Sequence, residues 1–125
     1  MKFIIEPIGF IHTPFKNPKD VDIGEEKEGI IEILEKYSNG LEGLERFEEI
    51  LLVWGIHLSK RADIMTYPRY APEELKGIFA TRSPHRPNHI GVSVLKLQKR
   101  EKNKLYVKGV DMVDGSPTFD IKPIR

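Results

Sequence analysis

The residues best equipped for chemistry in this 125-residue chain are crowded into Gly77–Gly91, GIFATRSPHRPNHIG: Arg82, His85, Arg86, Asn88 and His89, with Pro84 and Pro87 among them. Each proline fixes its own φ and pushes the residue before it toward extended backbone, so the spacing predicts a stiff, non-helical arch. A stiff polar arch between two strands suits binding. Arg82 and Arg86 offer planar guanidinium forks to a carboxylate or phosphate, and Asn88 offers an amide to a base edge. The chemistry expected is recognition of an anion or a nucleotide; a solvated surface loop is the plainer alternative.

A second informative stretch is Asp114-Gly115-Ser116-Pro117, followed by Asp120 and Lys122. Asp-Gly makes a turn at little steric cost and leaves a carboxylate, a hydroxyl and backbone amides at one strand end. Asp120 stands between Phe119 and Ile121, so burial or pairing must account for it; a hairpin whose Asp caps its own turn is the simpler explanation of the stretch. His57, after the apolar run Ile50–Ile56, is either a core histidine bonded to a carbonyl or a ligand contact. No GxGxxG, GxxxxGK[ST] or GxSxG pattern occurs, which argues against a Rossmann cofactor site, a phosphate loop and a serine elbow. Pro87 separates His85 from His89, and with no HExxH and no cysteine a metal site is not expected.

The elements that must position these residues read as strands. Apolar runs or alternation predict strands at Met1–Phe15, Glu28–Leu34, Glu49–Leu58, Gly77–Ala80, Ile90–Gln98, Lys104–Val113 and Thr118–Ile121. Leu41, Leu44 and Phe47 predict one or two helical turns, and Ser59–Lys76 a long functional or disordered loop. The fold class expected is all-β with one short helix: a single domain, 1–125, forming a small closed or nearly closed barrel of six to seven strands. Absence of cysteine excludes disulfides and thiolate chemistry, and no apolar stretch is long enough to span a bilayer, so a soluble, cytoplasmic protein is expected. Net charge is +1 but uneven, about −6 over residues 1–56, +3 over 57–91 and +4 over 92–125. The positive second half suits an anionic partner, while the acidic first half argues against non-specific coating of nucleic acid. The run Lys99–Lys104 is expected to be a solvated hairpin tip.

Taken together, Phe79–Gly91, Val113–Pro117 with Asp120–Ile124, Ile8–Phe15 and Gly40–Leu44 resemble the TrmO (YaeB/TsaA-like) family, in the right order over nearly the whole chain. The resemblance implies a β-barrel that binds S-adenosyl-L-methionine, acts as a homodimer and methylates N6 of the threonylcarbamoyl-adenosine beside the anticodon of certain tRNAs. Carried over by position, the cofactor-binding residues would be His57, Leu58, Arg82, Asn88, Val92, Asp114, Gly115, Ser116 and Pro117, with Asp120 and Lys122 in the last motif. His89 stands where the family has proline, Ser116 where it has threonine, and Val21-Asp22-Ile23-Gly24 where many members carry Pro-x-Gln. With Arg125 the last residue of the sequence, the C-terminal recognition extension of longer bacterial members is expected to be absent.

Methyl transfer is an in-line displacement that needs donor and acceptor placed together away from water. Arg82 would hold the methionyl carboxylate, the Asp114 turn the adenosine, and Arg86 an RNA phosphate; the sequence names no general base. A non-catalytic cofactor-binding module, a methyltransferase of another substrate, and a barrel that binds RNA by stacking through Tyr67 and Tyr70 are the alternatives.

Overall fold

Alternating apolar residues close six strands into one barrel. The computed structural model describes residues 1–22 and 26–125; Ile23 and Gly24, half of the segment compared with Pro-x-Gln above, lie outside the described residues. The barrel strands are β1 (Gly9–His12), β2 (Glu28–Ile33), β3 (Glu49–Gly55), β6 (Ile90–Glu101), β7 (Lys104–Lys108) and β8 (Ser116–Pro123), while β4 (Met65–Thr66) and β5 (Lys76–Gly77) form a separate two-stranded ribbon. Around the barrel the order is β1-β2-β7-β6-β3-β8, all pairs antiparallel, and β8 returns to β1 through Gly9–Thr118 and Ile11–Ser116. Closure leaves no barrel edge open to pairing.

Every second residue turns inward. Ile11, Ile31, Ile33, Ile50, Leu52, Leu95, Leu105 and Val107 fill the interior, joined by Phe15, Leu41, Val110 and Met112 from the connections. Each such side chain contributes on the order of 1.5–3 kcal/mol when fully buried. Tight curvature needs irregularities, and the ladder slips between Val53 and Trp54 and again between Leu97 and Lys99.

Several strand expectations are corrected. The first strand begins at Gly9 rather than Met1, because Pro7 has no N–H to give a ladder and Met1–Glu6 is exposed. Ile78–Ala80 is a 3-10 turn, not a strand: the N–H and the hydroxyl of Thr81 both bond back to the Ile78 carbonyl, at 3.1 and 2.8 Å. The expected strand Lys104–Val113 stops at Lys108, where Gly109 turns the chain with φ +95°. In compensation β6 runs on to Glu101 and β8 spans Ser116–Pro123. The helical turns are 3-10 segments at Glu35–Leu41 and Leu44–Arg46, and the long loop contains the β4–β5 ribbon. Lys102, at φ +55°, forms the exposed tip of the β6–β7 hairpin, as its charge suggested. Among the described residues no helix is long and apolar enough to cross a membrane.

Candidate functional site

The arch is held from within by its own polar groups. Thr81 is buried, and its Oγ1 accepts the Ser83 N–H at 3.2 Å; Ser83 Oγ in turn accepts the His85 N–H at 3.3 Å. Arg86 Nη1 donates to the carbonyls of Thr81 (2.8 Å) and Ser83 (3.2 Å), so this guanidinium braces the loop it belongs to. The two histidines fasten the neighbouring segment. His85 Nδ1 and Ser59 Oγ lie 2.7 Å apart, the His85 carbonyl accepts the Asp63 N–H at 2.9 Å, and His89 Nε2 donates to the Arg61 carbonyl at 2.8 Å. A carbonyl can only accept, so His89 carries its proton on Nε2. No group of three or more His, Cys, Asp or Glu among the described residues is arranged to hold a metal ion.

Five of the expected residues meet at one end of the barrel. The Ile56 N–H bonds to the His89 carbonyl at 2.9 Å, which brings the exposed tip His57-Leu58 against the arch. Arg82 Nη1 donates to the Val92 carbonyl at 2.9 Å, laying the guanidinium along the start of β6; Arg82, Asn88 and Val92 are all exposed. Among the described residues Asn88 spends no side-chain hydrogen bond inside the chain, so its amide is available to a ligand.

The Asp-Gly turn reaches the same end from the other side of β3. Gly55 pairs with Ile90 of β6, and a β-carbon on it would come within 2.8 Å of Pro117 and of the Phe119 ring. The last residue of β3 therefore stands between the arch and the turn. Gly115 takes φ +83°, which a side chain would resist, and the buried Ser116 hydroxyl donates back to the Val113 carbonyl at 2.6 Å. Asp114 braces β1: Oδ1 accepts the Thr13 N–H at 3.0 Å and Oδ2 accepts Lys16 Nζ at 2.8 Å. That hydrogen bond from Lys16 holds the Asp114 carboxyl below its usual range, with lesser help from the Thr13 N–H and His12. Asp120 and Lys122 are not brought to this end. They lie roughly 13–20 Å along β8 from Ser116 at strand spacing and pair with each other at 3.0 Å. Asp120 lines a different concavity of about 700 Å³ with Tyr37, Leu41 and Phe47. A second, of about 890 Å³, includes Asp114 with Lys16, Lys99 and Tyr106; no arch residue lines either.

One residue at this end is absent from the expected set. Asp111, half-buried, accepts a 2.6 Å hydrogen bond from Ser93 Oγ, which itself accepts the Trp54 indole N–H at 3.0 Å. Burial pushes the Asp111 carboxyl above its usual range, against the Ser93 bond and, more weakly, the charge of Arg82. A signal was present in the sequence: Asp111 interrupts the apolar run Val110-Asp111-Met112-Val113 just as Asp120 interrupts its own.

Residues 10–125 match the tRNA-methyltransferase O N-terminal domain, TrmO_N. The chain belongs to the TrmO N-terminal domain family. Within it, a Pyrococcus abyssi protein named a probable S-adenosyl-L-methionine-binding protein is 46% identical over 121 residues, covering 94% of this chain and 65% of its own length. A mouse protein named tRNA (adenine(37)-N6)-methyltransferase is 35% identical over 132 residues, covering 96% of this chain and 30% of its own. The crystal structure of TrmO from Pseudomonas aeruginosa superposes with a TM-score of 0.80 at 32% identity, over 100% of this chain and 57% of that one. The TrmO-family barrel seen here thus spans less than two thirds of the length of each of these relatives.

Proposed function

We propose that this chain is the cofactor-binding barrel of an S-adenosylmethionine-dependent methyltransferase that modifies N6 of adenosine beside the anticodon of tRNA, with the threonylcarbamoyl form as acceptor. It acts in the cytoplasm as a homodimer. The observation that carries this reading is the convergence of Arg82, Asn88, Val92 and His57-Leu58 on one barrel end, with Asp111 beside Arg82 and the Asp114–Pro117 turn across β3. The names of the TrmO-family relatives support the choice of cofactor and acceptor.

The residues present fit that cofactor. Bound there, it supplies a methyl group made electrophilic by an adjacent sulfonium. Arg82 makes a single hydrogen bond among the described residues, to the Val92 carbonyl, which leaves most of its planar fork for a carboxylate. Val92 and Leu58 offer exposed apolar surface to an adenosine or methionyl chain, and the Asn88 amide suits a base edge. The Asp114 turn holds β1 and β8 in place beneath this surface. The segment Lys60–Arg61 adds positive charge for an RNA phosphate. Arg86, already engaged as the brace of the arch, contributes to RNA through whichever of its N–H groups stay open.

A non-catalytic S-adenosylmethionine-binding module is the second reading, favoured by the name of the Pyrococcus relative. Incubating the protein with methyl-labelled S-adenosylmethionine and total tRNA separates the two. Label appearing in tRNA adenosine supports the enzyme; cofactor retained with no label transferred supports the module.

A further inference from the structure

Resting on the methyltransferase reading, we propose that Asp111 is the proton acceptor of the reaction, set in place by a one-way hydrogen-bond chain from Trp54 through Ser93.

Three side chains from three parts of the chain are joined in a fixed direction. An indole N–H can only donate, and that of Trp54 donates to Ser93 Oγ at 3.0 Å. The serine's own proton is thereby turned toward Asp111, whose Oδ1 accepts it at 2.6 Å, within the range of a charge-assisted bond from a hydroxyl to a carboxylate. Ser93 is 6% exposed, and the Trp54 indole lies against Gly91 with no room for a β-carbon between them, so the chain has little freedom to reorient. Asp111 is anchored through one oxygen. No side chain among the described residues hydrogen-bonds the other.

Five acids among the described residues are displaced from their usual range, and they fall into two kinds. Glu26, Glu45, Glu101 and Asp114 are held below their usual range, each chiefly by a hydrogen bond from Lys96, Arg100, Lys99 or Lys16. Such carboxylates are poor bases. Asp111 is displaced the other way, chiefly by burial. Ser93 from β6, itself bonded by Trp54 from β3, donates to it, the Asp111 backbone N–H also favours the charged form, and Arg82 from the arch is the one charged group that acts on it; Asp114, three residues on, is occupied by Thr13 and Lys16. A base works best as its pKa approaches the working pH, and a half-buried, anchored carboxylate with one oxygen that no side chain among the described residues engages meets that need. Its place fits too: Arg82 is fixed to the Val92 carbonyl, the residue next to Ser93, so the anion-binding fork and Asp111 flank one short stretch of β6.

The step balances without another reactant. The lone pair of the acceptor nitrogen forms the bond to the methyl carbon, the carbon–sulfur bond breaks with its electron pair going to sulfur, and the nitrogen's proton passes to the Asp111 carboxylate. The Ser93 hydroxyl, held by Trp54, keeps the acid so formed in the position from which solvent removes the proton.

The test has two arms. In the first, carboxyl-carbon NMR follows Asp111 in the protein alone. Its midpoint should lie above the ordinary aspartate value of about 3.9, and Ser93→Ala should raise it further by removing a bond that favours the charged form. In the second, single-turnover transfer to tRNA by Asp111→Asn should fall about 100-fold or more, while its cofactor affinity by calorimetry stays within about threefold of the parent. The acid limb of the rate profile should move up in Ser93→Ala along with the NMR midpoint. An ordinary midpoint, a rate for Asp111→Asn within about threefold of the parent, parallel loss of cofactor affinity, or an unmoved acid limb in Ser93→Ala would each overturn the proposal. If the parent itself binds cofactor and methylates no tRNA, the methyltransferase reading falls and this role with it, a result distinct from an inactive variant beside an active parent.

Discussion

Gly91 lies so close beneath the indole of Trp54 that a β-carbon on it would come within 2.5 Å of the ring. The two residues are register partners on β6 and β3, and the ring packs against the core at the barrel end where the arch runs into β6. Gly91→Ala should therefore destabilise the protein by about 1–3 kcal/mol through overpacking, and should displace the indole from Ser93. Urea unfolding followed by tryptophan fluorescence measures both effects; an unchanged midpoint would mean that Trp54 has somewhere else to go.

Thr118 presents the opposite case. It is fully buried on β8, and its hydroxyl has no partner among the described residues. An orphaned buried hydroxyl is unfavourable, so the nearly isosteric Thr118→Val should raise stability by roughly 1 kcal/mol. Thermal denaturation checks the sign. A lowered melting temperature would reveal that the hydroxyl is satisfied after all, by water or by a ligand entering the barrel end.

Asp114 predicts an acid dependence. Its folded-state carboxyl is held down by Lys16 first, then by Thr13 and His12, so the ionised form adds stability above the ordinary aspartate pKa of about 3.9. That contribution is lost as pH falls through the depressed value. Asp114→Ala should cost roughly 1 kcal/mol at neutral pH, mostly the hydrogen bond to the Thr13 N–H, and the Lys16 pair, open to solvent, adds little. Below pH 3 the gap between variant and parent should narrow, and melting curves across pH 2–7 would show it. A gap that stays constant with pH would remove the charge from the explanation.

Arg82 and Lys102 should separate cleanly. Arg82→Ala should weaken S-adenosylmethionine binding about tenfold or more, the loss expected for a charge-assisted bond. Lys102→Glu, at the exposed tip of the β6–β7 hairpin, should leave affinity where it was. Calorimetry on both variants is sufficient: an unaffected Arg82→Ala removes that residue from cofactor binding, and an impaired Lys102→Glu would place the ligand at the hairpin tip instead.

Much of the barrel was legible because its rules are local. Period-two alternation in Glu28–Ile33, the apolar run of β3 and the Asp-Gly and Lys102-Asn103 turns each specify their own geometry from neighbouring residues. Boundaries were harder, since Ile78–Ala80 has strand composition and is coiled into a 3-10 turn only by the bonds that Thr81 returns to Ile78. The stiffness of the arch was readable from Pro84 and Pro87. The different duties of its arginines were not: Arg86 turns inward to brace Thr81 and Ser83, whereas Arg82 lies outward along Val92.

By itself the amino-acid order determined that a rigid, cation-bearing arch and an Asp-Gly corner would exist, because proline and glycine act on the backbone wherever they stand. Which side chains share a surface was decided by barrel closure. Only the antiparallel register of β3 between β6 and β8 sets the Asp114 turn across from the arch and leaves Asp120 and Lys122 further down the strand. Asp111 gained its distinct character in the same way, since burial and a serine 18 positions away act on a carboxylate only once the chain has folded around it.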